Sequence, residues 1–346
     1  MTEFALLPSA ERRLILEQVA AKRGILPVII EKDFWVCWVL HRIFETPEMG
    51  PDVVFKGGTS LSKVFNAIKR FSEDADLSVT PGSLGFKDTD LNEAPSASMR
   101  QKRMKALAKA CEERVAQRFQ PALEVTIAAH LGSTALQPWL RYEIDPQAAT
   151  PNLWFRYPSS LPQAGGYIAK QVKLELGALT NQQPTGNHVI QPLLAEVLGQ
   201  AFDDFQVPVV ALGLERTFWE KATILHAEYH RPEGQPLRDR VARHYSDLAA
   251  LWRHPGRAGA LASLGILRDV VQHKTRFFAS SWASYDTARP GSFHLVPPLH
   301  RLRELARDHE AMRPMFLGEE PSFEDLVQQL RENEDDLNAI TEPSCG

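Results

Sequence analysis

VVFKGGTSLSKVFNAIKRFSEDADLSV, residues 53–79, changes its hydrophobic period twice. Val53, Val54 and Phe55 form a short apolar run ended by Gly57 and Gly58, which predicts a buried strand followed by a turn. Past Thr59 the apolar residues fall at Leu61, Val64, Phe65 and Ile68, the i, i+3, i+4, i+7 spacing of a helix with one buried face. That helix is expected to run for about three turns, with Lys63, Lys69 and Arg70 off its apolar stripe. After Arg70 the period becomes two. Asp74, Asp76 and Ser78 alternate with Ala75, Leu77 and Val79, so both aspartates are expected on one face of a second strand.

Upstream, Ser9 reads as a helix N-cap and Gly24 as the terminator, and a second helix is expected over Val28–Phe44. That helix opens on Glu31, Lys32 and Asp33, and either Lys32 or Asp33 could face a neighbouring site; an acidic first turn on a buried helix fits equally well. Downstream, the Gly-, Pro- and Ser-rich stretch 82–98 reads as a loop and contains a second Asp-x-Asp, Asp88-Thr89-Asp90, with no glycine turn behind it. A helix is predicted over Arg100–Arg118, with seven basic residues against Glu112 and Glu113: a candidate RNA- or partner-binding face, or a solvated surface. Strand-like runs follow at ALEVTIAAH (122–130), WLRYEI (139–144), LWFRY (153–157) and YIAKQVKLELG (167–177). In the last, Val172, Leu174 and Leu176 alternate with Lys173 and Glu175, putting a third carboxylate on one face of a strand.

Thr180–His188 is polar and reads as turns. From Val207 the composition shifts toward long helical patterns, with helices expected over Glu215–His230, Arg240–Arg253, Leu261–Ala279 and Phe323–Leu337. The expected organisation is a first domain over 1–205 and a helical second domain over 206–346. The expected class is α/β (α+β), a mixed sheet flanked by helices.

At 346 residues with 24% charged side chains and a net charge of −4, the chain has no global basic field for non-specific nucleic-acid binding. Any such contact must be local. Cys37, Cys111 and Cys345 are odd in number and far apart, which argues against a disulfide framework or a cysteine zinc site. The N-terminus lacks a signal-peptide pattern and no apolar run reaches spanning length, so a cytoplasmic protein without membrane attachment is expected.

The chemistry these residues suit is metal-dependent nucleotidyl transfer. Two carboxylates at i and i+2 on a strand, Asp74 and Asp76, can share Mg²⁺ or Mn²⁺ ions, and Glu175 on a neighbouring strand can complete the shell and assist deprotonation of the attacking hydroxyl. Gly57 and Gly58 let backbone N–H groups approach the phosphates of an NTP, with the Thr59 hydroxyl and Lys63 in the same triphosphate-binding group.

FKGGTSLSKVF followed by RFSEDADLSV resembles the signature of the AbiEii/AbiGii (MenT-like) nucleotidyltransferase toxins, whose core is similar to the polymerase-β-type nucleotidyltransferases. FWEK at Phe218–Lys221 and RHYSDL at Arg243–Leu248 resemble that family's third and fourth motifs. The resemblance implies that Gly57, Gly58 and Thr59 contact the triphosphate and that Asp74 and Asp76 bind metal. It also implies that Ser72 lies in the nucleotide pocket, Lys221 contacts phosphate, and Asp247 supports the site, both supplied to the cleft by the C-terminal domain. It further implies the toxin of a toxin–antitoxin or phage-defence system, acting on the 3′ end of tRNA or another RNA, with an antitoxin protein as partner.

Three other readings compete. The same core could modify a partner protein (AMPylation), or the chain could be a catalytically idle scaffold. His226 and His230 share a helix face, but a zincin needs Glu directly after the first histidine, and Glu228 is one position late.

Overall fold

The computed structural model describes residues 1–87, 93–133, 137–146, 148–162, 168–199, 204–319 and 321–341. The chain divides into two compact units: Met1–Val64 with Phe71–Leu212, and Phe65–Arg70 with Gly213–Gly346.

The first unit is built on a seven-stranded mixed sheet of order β3-β4-β5-β2-β1-β7-β6. Its strands are β1 (Val53–Lys56), β2 (Ala75–Val79), β3 (Leu140–Ile144), β4 (Pro151–Phe155), β5 (Val172–Gly177), β6 (Thr185–Ile190) and β7 (Val207–Leu212). β2 is antiparallel to β1 and parallel to β5, while β4 is antiparallel to β5. The period-2 pattern holds: Ala75, Leu77, Val79, Val172, Leu174 and Leu176 are buried on one face. That face is covered by the Pro27–Glu45 helix, whose Trp35 and Trp38 stack on Tyr157 and Phe155.

All three charged residues at the start of that helix are buried, and each is matched within the unit. Glu31 accepts from the Ser159 hydroxyl at 2.7 Å and the Ser160 backbone N–H at 2.6 Å. Lys32 pairs with Glu73 at 2.9 Å, and Asp33 pairs with Lys63 while accepting the Leu193 N–H at 2.6 Å.

Five expectations are corrected. The helix after the glycines spans only Gly57–Lys63, because Phe65–Arg70 is built into the second unit, with Asn66 at φ 50°. Residues 122–130 are not a strand but part of the Gln120–Leu131 helix, which continues the Ala97–Arg114 helix through a π-turn at Val115–Phe119. Leu107, Cys111, Val115, Phe119, Leu123 and Ile127 are all buried and all four residues apart. A strict four-residue repeat drifts around a 3.6-residue helix, and the wider π-turn resets it. Thr180–His188 holds the start of β6, and Val207–Leu212 is β7 rather than the opening of a helical region. Ser9 is the first residue of its helix and not its cap, although Gly24 ends that helix at φ 66° as expected.

The second unit is helical, with helices at Leu214–Tyr229, Ala242–Arg253, Arg257–Ala262, Leu264–Phe277, Leu302–Ala311 and Phe323–Asn338. The predicted helix over Leu261–Ala279 is broken at Ser263. Among the described residues no helix is long and apolar enough to cross a membrane.

Candidate active site

Register gathers the first unit's acidic residues. Lys56 faces Asp76 across β1–β2, Asp76 faces Glu175 across β2–β5, and Asn152 faces Glu175 across β4–β5. Register partners project to the same face of a sheet, so Asn152, Glu175, Asp76 and Lys56 form one transverse row opposite the helix-covered side. Asp74 sits immediately before β2, one residue short of the strand position predicted for it.

Among the described residues, nothing forms an ion pair with the Asp74 or Asp76 carboxylates, and both are half-buried. Burial, then the neighbouring Glu73, push the Asp74 carboxyl up to about 6, with Asp76 adding to the effect. The donor set of half-buried carboxylate oxygens suits Mg²⁺ or Mn²⁺. The glycine turn is crowded by Asp76. Gly57 is at φ +80°, and a Cβ on it would meet Asp76 Oδ2 at 1.9 Å. No L side chain fits there, and a left-handed backbone at that position favours glycine in any case.

Thr59 is buried and donates its hydroxyl to the Asp74 carbonyl and, at 3.3 Å, to the Ser72 carbonyl. It therefore braces the segment that carries the first aspartate. Ser72 is half-buried beside it. Lys63 is engaged with Asp33 and points at the Gln191 carbonyl at 3.4 Å; burial lowers its pKa, but Asp33 more than offsets this and the net shift is upward.

Glu175 differs from the two aspartates. Its carboxylate accepts from Lys173 Nζ at 2.9 Å, and Lys173 also lies 3.7 Å from Asp145. Among the described residues no three His, Cys, Asp or Glu side chains converge on a point that could hold a metal ion. Lys173 is a residue of this site that sequence motifs do not single out; its signal is its place two residues before Glu175 on one strand.

Lys221 and Asp247 belong to the second unit and meet there. Lys221 Nζ donates to Asp247 Oδ2 at 2.7 Å and lies 3.0 Å from His244 Nδ1, while Arg70 holds both carboxylate oxygens of Asp247 at 2.7 and 2.9 Å. Burial alone would raise the Asp247 carboxyl, but Arg70 and Lys221 overcome it and hold it far below the usual carboxylate range. Burial lowers Lys221, and burial with the adjacent Lys221 charge keeps His244 neutral, so its Nδ1 accepts from the ammonium. Arg70, placed off a helix stripe by sequence, is thus a structural partner of the fourth motif.

His226 is saturated within the fold. Its Nδ1 accepts the His294 backbone N–H at 3.1 Å, and its Nε2 lies 3.1 Å from the Ser284 carbonyl. It has no lone pair left for a zinc ion. Asp88-Thr89-Asp90 and Cys345 lie outside the described residues, and Cys37 and Cys111 are buried free thiols. On the Ala97–Arg114 helix and the turn after it, Lys102, Lys105, Lys109 and Arg118 are exposed, whereas Arg114 is drawn to Asp52 at 3.4 Å and to the Ser83 carbonyl.

Three comparisons bear on this geometry. The family model for "Nucleotidyl transferase AbiEii toxin, Type IV TA system" matches residues 38–329. A search of curated proteins finds no match. Among solved structures, the MenT4 nucleotidyltransferase toxin of Mycobacterium tuberculosis H37Rv is similar at 15% identity, covering 87% of this chain and 98% of that one with a TM-score of 0.36.

Proposed function

The chain belongs to the AbiEii nucleotidyl transferase toxin family of type IV toxin–antitoxin systems, and from that premise we propose that it transfers a nucleoside monophosphate from an NTP to the 3′ hydroxyl of an RNA, with tRNA the foremost acceptor. The acceptor oxygen attacks the α-phosphorus, the bond to the bridging oxygen breaks, and pyrophosphate leaves. Modifying a tRNA 3′ end blocks aminoacylation and so accounts for toxicity, which a cognate antitoxin would hold in check.

The observation that carries the reading is the Asp74–Asp76 carboxylate pair, without an ion-pair partner among the described residues, set against a glycine at which a Cβ would run into the Asp76 carboxylate. Asp74 and Asp76 would hold Mg²⁺ or Mn²⁺, which supplies charge neutralisation on the phosphates and alignment of the reacting oxygens. Gly57 gives Asp76 its place, Thr59 fixes the Asp74 backbone, and Lys221, kept in position by Asp247, takes the phosphate-contacting role. RNA as acceptor is favoured by the exposed Lys102, Lys105, Lys109 and Arg118, a local basic stripe on a chain of net negative charge.

The test is incubation of the chain with each α-³²P-labelled NTP, Mg²⁺, total RNA and cell protein. Label in a tRNA-sized fraction, absent with Asp76→Ala, is expected. Label confined to protein would replace the acceptor class, and label in neither fraction would overturn the reading.

A further inference from the structure

The three carboxylates that register brings onto neighbouring strands are electrostatically unequal. Asp74 and Asp76 have no ion-pair partner among the described residues, whereas Glu175 holds the ammonium of Lys173 at 2.9 Å. Lys173 is positioned to serve more than one acid. It occupies β5 one step across from Asp74, given that Ala75 faces Leu174, and it lies within 3.7 Å of Asp145 at the end of β3. A lysine ammonium carries three donors in a compact charge, so it can sit among several oxygens as a small cation does.

A second observation points to the same spot. Asn152 faces Glu175 from β4, is 2% exposed, and has a buried Oδ1 with no hydrogen-bond partner among the described residues. An orphaned acceptor beside a carboxylate is costly unless a donor approaches it, and the ammonium on that face of β5 is that of Lys173. Glu175 and Asp145 thus hold the ammonium on two sides, and Asn152 stands in register with Glu175 on the neighbouring strand.

We propose that Lys173 is the tethered cation of this active site: it takes, beside Asp74 and Glu175, the position that a second divalent ion would otherwise fill, so that the chain binds one divalent ion, on Asp74 and Asp76, and Glu175 is a ligand of Lys173. This rests on the nucleotidyl-transfer reading, and it makes Glu175 a positioning residue. A tethered positive charge needs no free ion to be captured, and it leaves the site half-neutralised before nucleotide arrives.

The experiment is a titration of the full chain with Mn²⁺ alone, reading free ion by electron paramagnetic resonance, on the native protein and on Asp76→Asn, Glu175→Gln, Lys173→Gln and Lys173→Arg. The native chain is expected to bind one equivalent. Glu175→Gln should leave that affinity unchanged within about twofold, because the residue is not a ligand of the ion. Lys173→Gln should gain a second equivalent or bind the first at least about tenfold more tightly, since it removes a competing positive charge. Lys173→Arg, which keeps the charge and tests for mere disturbance of β5, should behave as the native chain. Two equivalents on the native protein, a large loss of affinity in Glu175→Gln, or no change in Lys173→Gln would overturn the proposal while leaving nucleotidyl transfer intact. Unchanged Mn²⁺ binding in Asp76→Asn, or none by any variant, would instead overturn the metal site on which both readings stand.

Discussion

At Gly57 a single hydrogen atom separates a working site from a blocked one. An alanine methyl would meet the Asp76 carboxylate at 1.9 Å while its backbone sat at φ +80°, so Gly57→Ala must move either the turn or Asp76. The strain should cost about 2 kcal/mol of stability, and displacing a ligand by about an ångström should cost at least about a hundredfold in turnover. Urea unfolding and the labelled-NTP assay measure the two separately. Asp74 adds a pH dependence. Its carboxyl is raised to about 6 by burial and by Glu73, so without an ion it is mostly protonated below that pH. A cation needs the carboxylate, and protons compete for it, so apparent Mn²⁺ affinity should be flat above pH 7 and fall about tenfold per unit below about pH 6. Titrations at pH 5, 6, 7 and 8 check this; a flat profile down to pH 5 would mean that Asp74 is not a ligand.

Elements were legible where local period and burial agreed. β1 follows from its apolar run before the glycines, β2 and β5 with Glu175 from alternation, and the helix at Leu214–Tyr229 from its 3.6-residue pattern. They were not legible where tertiary packing overrode local preference. Val125, Thr126 and Ile127 favour a strand, yet they are helical because the four-residue repeat of buried side chains runs through them, with the Thr126 hydroxyl donating to the Ala122 carbonyl at 3.1 Å. β6 hides because as an edge strand it buries only Ile190, and β7 because Pro208 interrupts it, three residues before it meets β1 at Ala211. In the Leu214–Tyr229 helix the pattern showed a buried face but not that His226 on it is held neutral, lowered to about 4 by burial. Its folded pKa lies below its unfolded value of 6.5, so the unfolded state binds the extra proton first. The stability it contributes is present above about pH 6.5 and is lost as the pH falls toward 4, by on the order of 3 kcal/mol at most. Buried neutral His244 acts with the same sign. Urea midpoints at pH 7 and pH 5 should differ accordingly, and His226→Gln should flatten part of the slope.

Across the whole chain, the feature that sequence order conceals is that the second unit is discontinuous. Six residues, Phe65–Arg70, are cut out of the first unit's run and completed by Gly213–Gly346. They are stitched in by a Leu317 N–H donated to the Lys69 carbonyl at 2.9 Å, by His254 Nε2 at 3.2 Å from the Phe65 carbonyl, and by the two-pronged Arg70–Asp247 pair. The helix period that ran through Ile68 gave no hint of this, because it reports which side chains are buried and not against what. A boundary drawn near residue 205 would separate Arg70 from its carboxylate. Asp247 is 1% exposed and shared between Arg70 and Lys221, so removing the guanidinium leaves a buried charge with half its compensation, a loss of about 3–5 kcal/mol. A fragment beginning at Gly213 should therefore be far less stable than the same helices in the full chain, and Arg70→Met in the full chain should reproduce most of the deficit. Because Trp219, Trp252 and Trp282 lie in the second unit and Trp35, Trp38, Trp139 and Trp154 in the first, single-tryptophan variants can follow each unit's unfolding in urea. The Arg70→Met loss should appear in the second unit's transition, and Asp247→Asn in the same background should add much less than it does alone, since the two side chains form one pair. Additive effects, or a Gly213–Gly346 fragment as stable as the intact unit, would show that Phe65–Arg70 merely lies against the second unit and is not part of its core.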